Sequence, residues 1–81
     1  MRKQQYILPM QIEELEEGGY LGRCSKLPGL NVQGESIEEV LKLAPKIART
    51  LIEAMRDKGV TLPRGLSNAR FPLHVQVLVS A

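Results

Sequence analysis

The sequence predicts a small α+β domain in the order strand, strand, strand, helix, strand, with a small mixed sheet and one long amphipathic helix packed on one face. Three observations predict it. Apolar residues alternate at period two near the start of the chain and again from Phe71 to Val79. From Ile37 to Met55 they recur instead at three and four, the spacing of one face of a helix. Between these blocks lie the turn signals Gly18-Gly19 and Pro28-Gly29, which fold a chain into hairpins. With 81 residues, the chain is read as one domain, 1–81.

The first strand is expected from Gln5 to Ile12, with Tyr6, Leu8, Met10 and Ile12 on one side. Ile7 on the other side implies that both faces are partly covered. Pro9 donates no hydrogen bond, so it predicts an edge, an early end or a bulge. Glu13-Glu14-Leu15-Glu16-Glu17-Gly18-Gly19 reads as an acidic hairpin turn leading into a second strand from Tyr20 to Cys24. In Lys26-Leu27-Pro28-Gly29-Leu30, Pro presets the second turn position and Gly accepts positive φ at the third, the preference of a type II turn. Asn31 to Gly34 is then a short third strand.

Ser36 and Glu39 have the spacing of a capping box, in which each side chain satisfies a free amide of the first helical turn. Glu35, Glu38 and Glu39 suit the positive end of the helix dipole. Ile37, Val40, Leu41, Ala44, Ile47, Ala48, Leu51 and Met55 form the apolar face; Lys42, Lys46, Arg49, Glu53, Arg56 and Asp57 form the polar one. Pro45 predicts a kink, and Gly59 suits the residue just past the helix end. Val60 to Arg70 is a connector with Pro63 and Gly65. Phe71, Leu73, Val75, Val77 and Val79 then alternate with Pro72, His74, Gln76, Leu78 and Ser80, the cleanest strand pattern in the chain. If that strand runs parallel to its neighbour, the crossover is right-handed.

The chemistry is sparse. A net charge of +2 gives no footprint for nucleic acid, and Arg2, Lys3, Arg64 and Arg70 read as solvated surface charges. Cys24 is alone and makes no internal disulfide; it reads as a small half-buried side chain. His74, the one histidine, lies on the polar side of the last strand with no nucleophile set against it. One Cys and one His do not make a zinc centre, and the glutamate run lacks the ligand spacing of a calcium loop, so no metal or cofactor is expected. Gly18-Gly19 lacks the Lys and Ser/Thr of a phosphate loop. The expectation is a chain that is not an enzyme. No apolar leader follows Met1 and no run is long enough to span a bilayer, so a cytoplasmic protein is expected.

Several short motifs recur in a known order: Gly18-Gly19-Tyr20, Leu27-Pro28-Gly29, Gln33-Gly34-Glu35-Ser36-Ile37-Glu38-Glu39, Lys58-Gly59 and Leu62-Pro63. Together they resemble the HicB-like antitoxin family over Tyr6 to Pro63. The chain departs from that pattern at Ser25, where the family often has Pro, and at Val40, where it usually has Ala. The resemblance implies a partial RNase H-like fold without the enzyme's metal-binding acids. It implies a protein that binds and neutralises a small HicA-like ribonuclease toxin by covering its active site. Many members also carry a DNA-binding segment; none is expected after Ala81, so specific DNA binding is not expected either.

A ribonuclease presents positive charge to its substrate, so an inhibitor gains by opposing it with negative charge. The expected partner-binding surface is therefore the acidic run Glu13, Glu14, Glu16 and Glu17, with Leu27, Pro28, Gly29 and Leu30 offering apolar contact beside it. Glu35, Glu38 and Glu39 are a second negative surface. Gly19, Gly29, Gly34, Ser36, Glu39 and Gly59 are expected to hold the backbone. A competing reading is a solitary oligomeric scaffold or ligand-binding module of the same fold. Self-association is expected under either, because a strand this apolar leaves an unprotected edge.

Overall fold

The computed structural model describes residues 5–62, 67–68 and 70–81. Arg2, Lys3, Pro63, Arg64 and Gly65, on which parts of the sequence reading fall, lie outside them. The elements are β1 (Tyr6–Ile7), β2 (Gln11–Glu14), β3 (Tyr20–Arg23), β4 (Asn31–Gly34), α1 (Ile37–Asp57) and β5 (Ser67–Asn68). β2, β3 and β4 form an antiparallel sheet in sequence order, and β1 pairs antiparallel with β5. The α+β class holds. Every described pairing is antiparallel, where the sequence reading has a mixed sheet.

The expected first strand is divided into β1 and β2 by Leu8-Pro9-Met10, as a proline without a donor requires. Its period-two side is retained: Tyr6, Leu8, Met10 and Ile12 all pack against the core, while Ile7 is exposed. The strand register aligns Ile12, Gly22 and Val32 in one row and Glu14, Tyr20 and Gly34 in the next, all on one face. α1 lies on that face. The opposite face carries Gln11, Arg23 and Asn31 in one row and Glu13, Leu21 and Gln33 in the other, a mostly polar surface.

α1 begins where its cap residues place it. Ser36 has extended backbone, and its Oγ accepts a hydrogen bond from the Glu39 N–H at 3.1 Å. The helix ends with a complete Schellman motif: the Val60 N–H donates to the Met55 carbonyl at 2.8 Å and the Gly59 N–H to that of Arg56 at 3.1 Å. Gly59 is left-handed, at φ +70°. Pro45 does not interrupt the helix. It lies on the exposed side, and the carbonyl of Leu41, four residues earlier, loses its usual donor where solvent is at hand.

The core is Cys24, Leu27, Leu30, Val32, Val40, Ala44, Ala48 and Ile52. The four helical members recur every four residues and face the sheet. Leu41, expected on the apolar face, is instead exposed, because it lies off that line. Two glycines set how closely helix and sheet approach. A Cβ on Gly22 would stand 2.7 Å from Val40 Cγ1, and one on Gly34 would stand 3.2 Å from Val40 Cγ2. The sheet thus has no side chain where Val40 enters, and the helix packs onto bare backbone. At the far end of α1, the Arg56 guanidinium donates to the Tyr6 hydroxyl at 2.7 Å and lies 5.8 Å from the centre of its ring, tying β1 to the last turn.

The largest difference from the sequence reading is the last strand. Residues 71–81 form no strand and are exposed throughout, with Val75 at 70%, Val77 at 76% and Val79 at 75%. An alternating segment becomes a strand only when an edge pairs with it. Here Ser67–Asn68 pairs with β1, and no strand among the described residues pairs with 71–81.

Candidate functional site

The β2–β3 hairpin closes through a five-residue loop, Leu15 to Gly19. The Leu15 N–H donates to the Gly19 carbonyl at 2.9 Å, and the Gly18 N–H to that of Leu15 at 3.0 Å. Gly18 and Gly19 are both left-handed, at φ +102° and +86°, a conformation that costs other residues about 1–2 kcal/mol. Because β4 runs antiparallel to β3, its last residue, Gly34, pairs with Tyr20 next to this loop. The start of α1 is thereby carried to the hairpin tip. A Cβ on Gly19 would stand 3.0 Å from the Gly34 carbonyl oxygen, so the two backbones nearly touch.

Between them lies an open depression of about 580 Å³, lined by Glu17, Gly18, Gly19, Gln33, Glu35 and Glu39. Two acidic segments separated by 17 residues of chain thus supply one surface. Glu38 and Glu39 occupy the first helical turn, where the dipole favours carboxylates. Among the described residues no group of three His, Cys, Asp or Glu is placed to hold a metal ion. The depression carries the carboxylates of Glu17, Glu35 and Glu39.

The four hairpin glutamates do not act together. Glu13 lies on the open sheet face and makes an ion pair with Arg23 at 2.9 Å. Both side chains are about half exposed, so the pair adds little stability, but it does offset the charge. Glu14 points to the opposite face and accepts a hydrogen bond from the Tyr20 hydroxyl at 3.4 Å. Glu16 is exposed at the loop, and Glu17 joins the depression. Successive strand residues face opposite sides, which is why adjacent acids separate.

The apolar turn is a correction. Leu27 and Leu30 are 0% and 2% exposed and belong to the core; only Pro28 and Gly29 face outward. The turn also lies at the other end of β3 from the hairpin tip, so of the acidic run it stands beside Glu13 alone. Its shape is the expected one: the Leu30 N–H donates to the Leu27 carbonyl at 3.1 Å, and Gly29 has φ +94°. A second depression of about 410 Å³ opens at this end, where Gln11, Asn31 and the Glu13–Arg23 pair meet Ser25 and Gly29; it carries no excess of charge.

Gly22 was not singled out by the sequence reading, although it matters as much as Gly34. The signal available was a glycine inside a strand, which marks close approach of another chain segment. No family model matches this chain, and neither a curated protein nor a solved structure matches it. Among the described residues no helix is long and apolar enough to cross a membrane.

Proposed function

We propose that this chain is an antitoxin-like inhibitor that binds a small, basic, HicA-like ribonuclease and covers its active site through the acidic end of the domain. The observation that carries the reading is the convergence of Glu17, Glu35 and Glu39 on one open depression. A catalytic surface built for phosphates must be positively charged, and opposed charge steers its encounter with an inhibitor. The sequence resemblance to HicB-like antitoxins points to the same partner class. The antiparallel meander followed by one helix supports a partial RNase H-like assignment for that part of the fold. A cytoplasmic setting goes with this reading.

The test uses a basic HicA-like protein encoded beside this chain. Glu17, Glu35 and Glu39 are changed together to Lys, and association is measured at low and moderate salt. Slower association, on the order of 10-fold, with weaker salt dependence is the expected result. Unchanged association would move the binding surface elsewhere. Failure of the folded parent chain to bind the adjacent protein or to rescue growth against it would overturn the inhibitor reading.

The exposed apolar residues of 71–81 favour a second reading, an oligomeric module of the same fold. Growth rescue separates the two, since a scaffold would assemble without protecting cells.

A further inference from the structure

The segment from Leu73 to Val79 has the pattern of a strand and no strand among the described residues to pair with. Leu73, Val75, Val77 and Val79 alternate with His74, Gln76 and Leu78. Residues 71–81 contain no Asp, Glu, Lys or Arg, so nothing along them repels a like segment or selects a charged one. Native edges are normally blunted by such charges.

We infer that this segment pairs antiparallel with the same segment of a second copy of the chain. Parity makes the match self-complementary. In a two-fold antiparallel pair centred on Gln76, Leu73 faces Val79 and Val75 faces Val77, so the odd-numbered apolar residues of both copies share one face. The free edges of β2 and β4 fit less well. They are four residues long, and β4 offers only Val32 and Gly34 on the helix-bearing side.

One ribbon edge falls short of the roughly 800 Å² per partner that a standard stable interface removes from solvent. The apolar face of the ribbon supplies the remainder by closing on the same face of a second pair, as two sheets stack about 10 Å apart. The assembly is then four chains built from two-fold pairs. This inference rests on 71–81 alone and is independent of the acidic surface, so loss of toxin binding leaves it untouched.

Light scattering of the full chain at micromolar concentration tests it first: a mass of four chains is expected, a mass of two overturns the stacking of pairs, and a single-chain mass overturns the pairing itself. Val75→Lys should weaken self-association on the order of 100-fold, with cooperative unfolding of the single domain retained because the side chain is exposed there. Mixing V75K with V77E should restore assembly, since the introduced lysine of one copy then faces the introduced glutamate of the other. A mixture that stays monomeric, or V75K that assembles like the parent, overturns the pairing. Gln76→Cys reports independently of the apolar face. Residue 76 meets its own copy at Cα distances of roughly 4.5–5.5 Å, within reach of a disulfide. With oxidised glutathione as oxidant, Q76C should give a covalent dimer, whereas Ser80→Cys should not. Cys24 is buried and should not contribute. Equal cross-linking of the two variants overturns the register.

Discussion

Two regions of this molecule carry the same alternating code and meet different fates. Tyr6, Leu8, Met10 and Ile12 pack against the core, whereas Leu73, Val75, Val77 and Val79 are exposed to solvent. Composition does not separate them, since the second region is the more regular and the more β-branched. Connection does. The first region is followed by a hairpin loop that returns the chain onto it within five residues, and by a helix that covers one face. Among the described residues, the 71–81 segment has neither an adjoining hairpin nor a covering layer. Alternation records which side of a strand prefers to be dry; burial needs a second surface to exclude the water.

The largest expected contrast comes from truncating one side chain in each region. Leu27→Ala should cost about 2–5 kcal/mol, because its side chain is wholly enclosed. Val77→Ala should change stability by less than about 0.5 kcal/mol when measured at protein concentrations low enough to keep chains apart. Urea denaturation of both variants checks this, and a comparable loss for Val77→Ala would mean that 71–81 docks on its own domain.

Next in size is the close approach of sheet and helix. Gly22→Ala places a methyl group 2.7 Å from Val40 Cγ1, so the helix must shift, at a cost of about 1–3 kcal/mol. Val40→Ala should relieve part of that cost. A double-mutant cycle in thermal unfolding should show coupling between the two sites, and additivity would refute the contact.

Smaller effects come from turn and cap. Gly29→Val forces a β-branched residue to φ +94° and should cost about 1–2 kcal/mol. Ser36→Ala removes the acceptor of the Glu39 amide and should cost about 1 kcal/mol. Unchanged denaturation midpoints in both would mean these devices do not hold the fold. The smallest effect is expected at the Arg23–Glu13 pair: Arg23→Ala should cost less than about 1 kcal/mol, diminishing further with added salt.

Local chemistry was legible wherever a residue acts on its own backbone. Ser36 started the helix, Gly59 ended it, Pro28-Gly29 made the turn and Pro9 divided the strand, each through its own torsions or its own hydrogen-bonding groups. Most of the core face of α1 followed in the same way from the spacing of Val40, Ala44 and Ala48. The acidic site was legible only in pieces. Both acidic segments stood out in the sequence, but their meeting did not, because it depends on the antiparallel return of β4 beside the hairpin loop. The pleat divided Glu13 from Glu14, and the same register placed Arg23 beside Glu13.

By itself, then, the sequence determined the α+β class, the order of the two hairpins and the helix, the turns and caps, and the side of each element that prefers burial. Those properties are set by torsional preference and periodicity over a few residues, so they do not wait for the rest of the chain. Tertiary structure alone decided that Leu27 and Leu30 belong to the core, that Gly22 and Gly34 admit Val40, and that Glu17 meets Glu35 and Glu39. It also decided that the most regular strand pattern in the chain has no described strand beside it. Each of these outcomes depends on which distant surfaces come together, and periodicity carries no record of the partner.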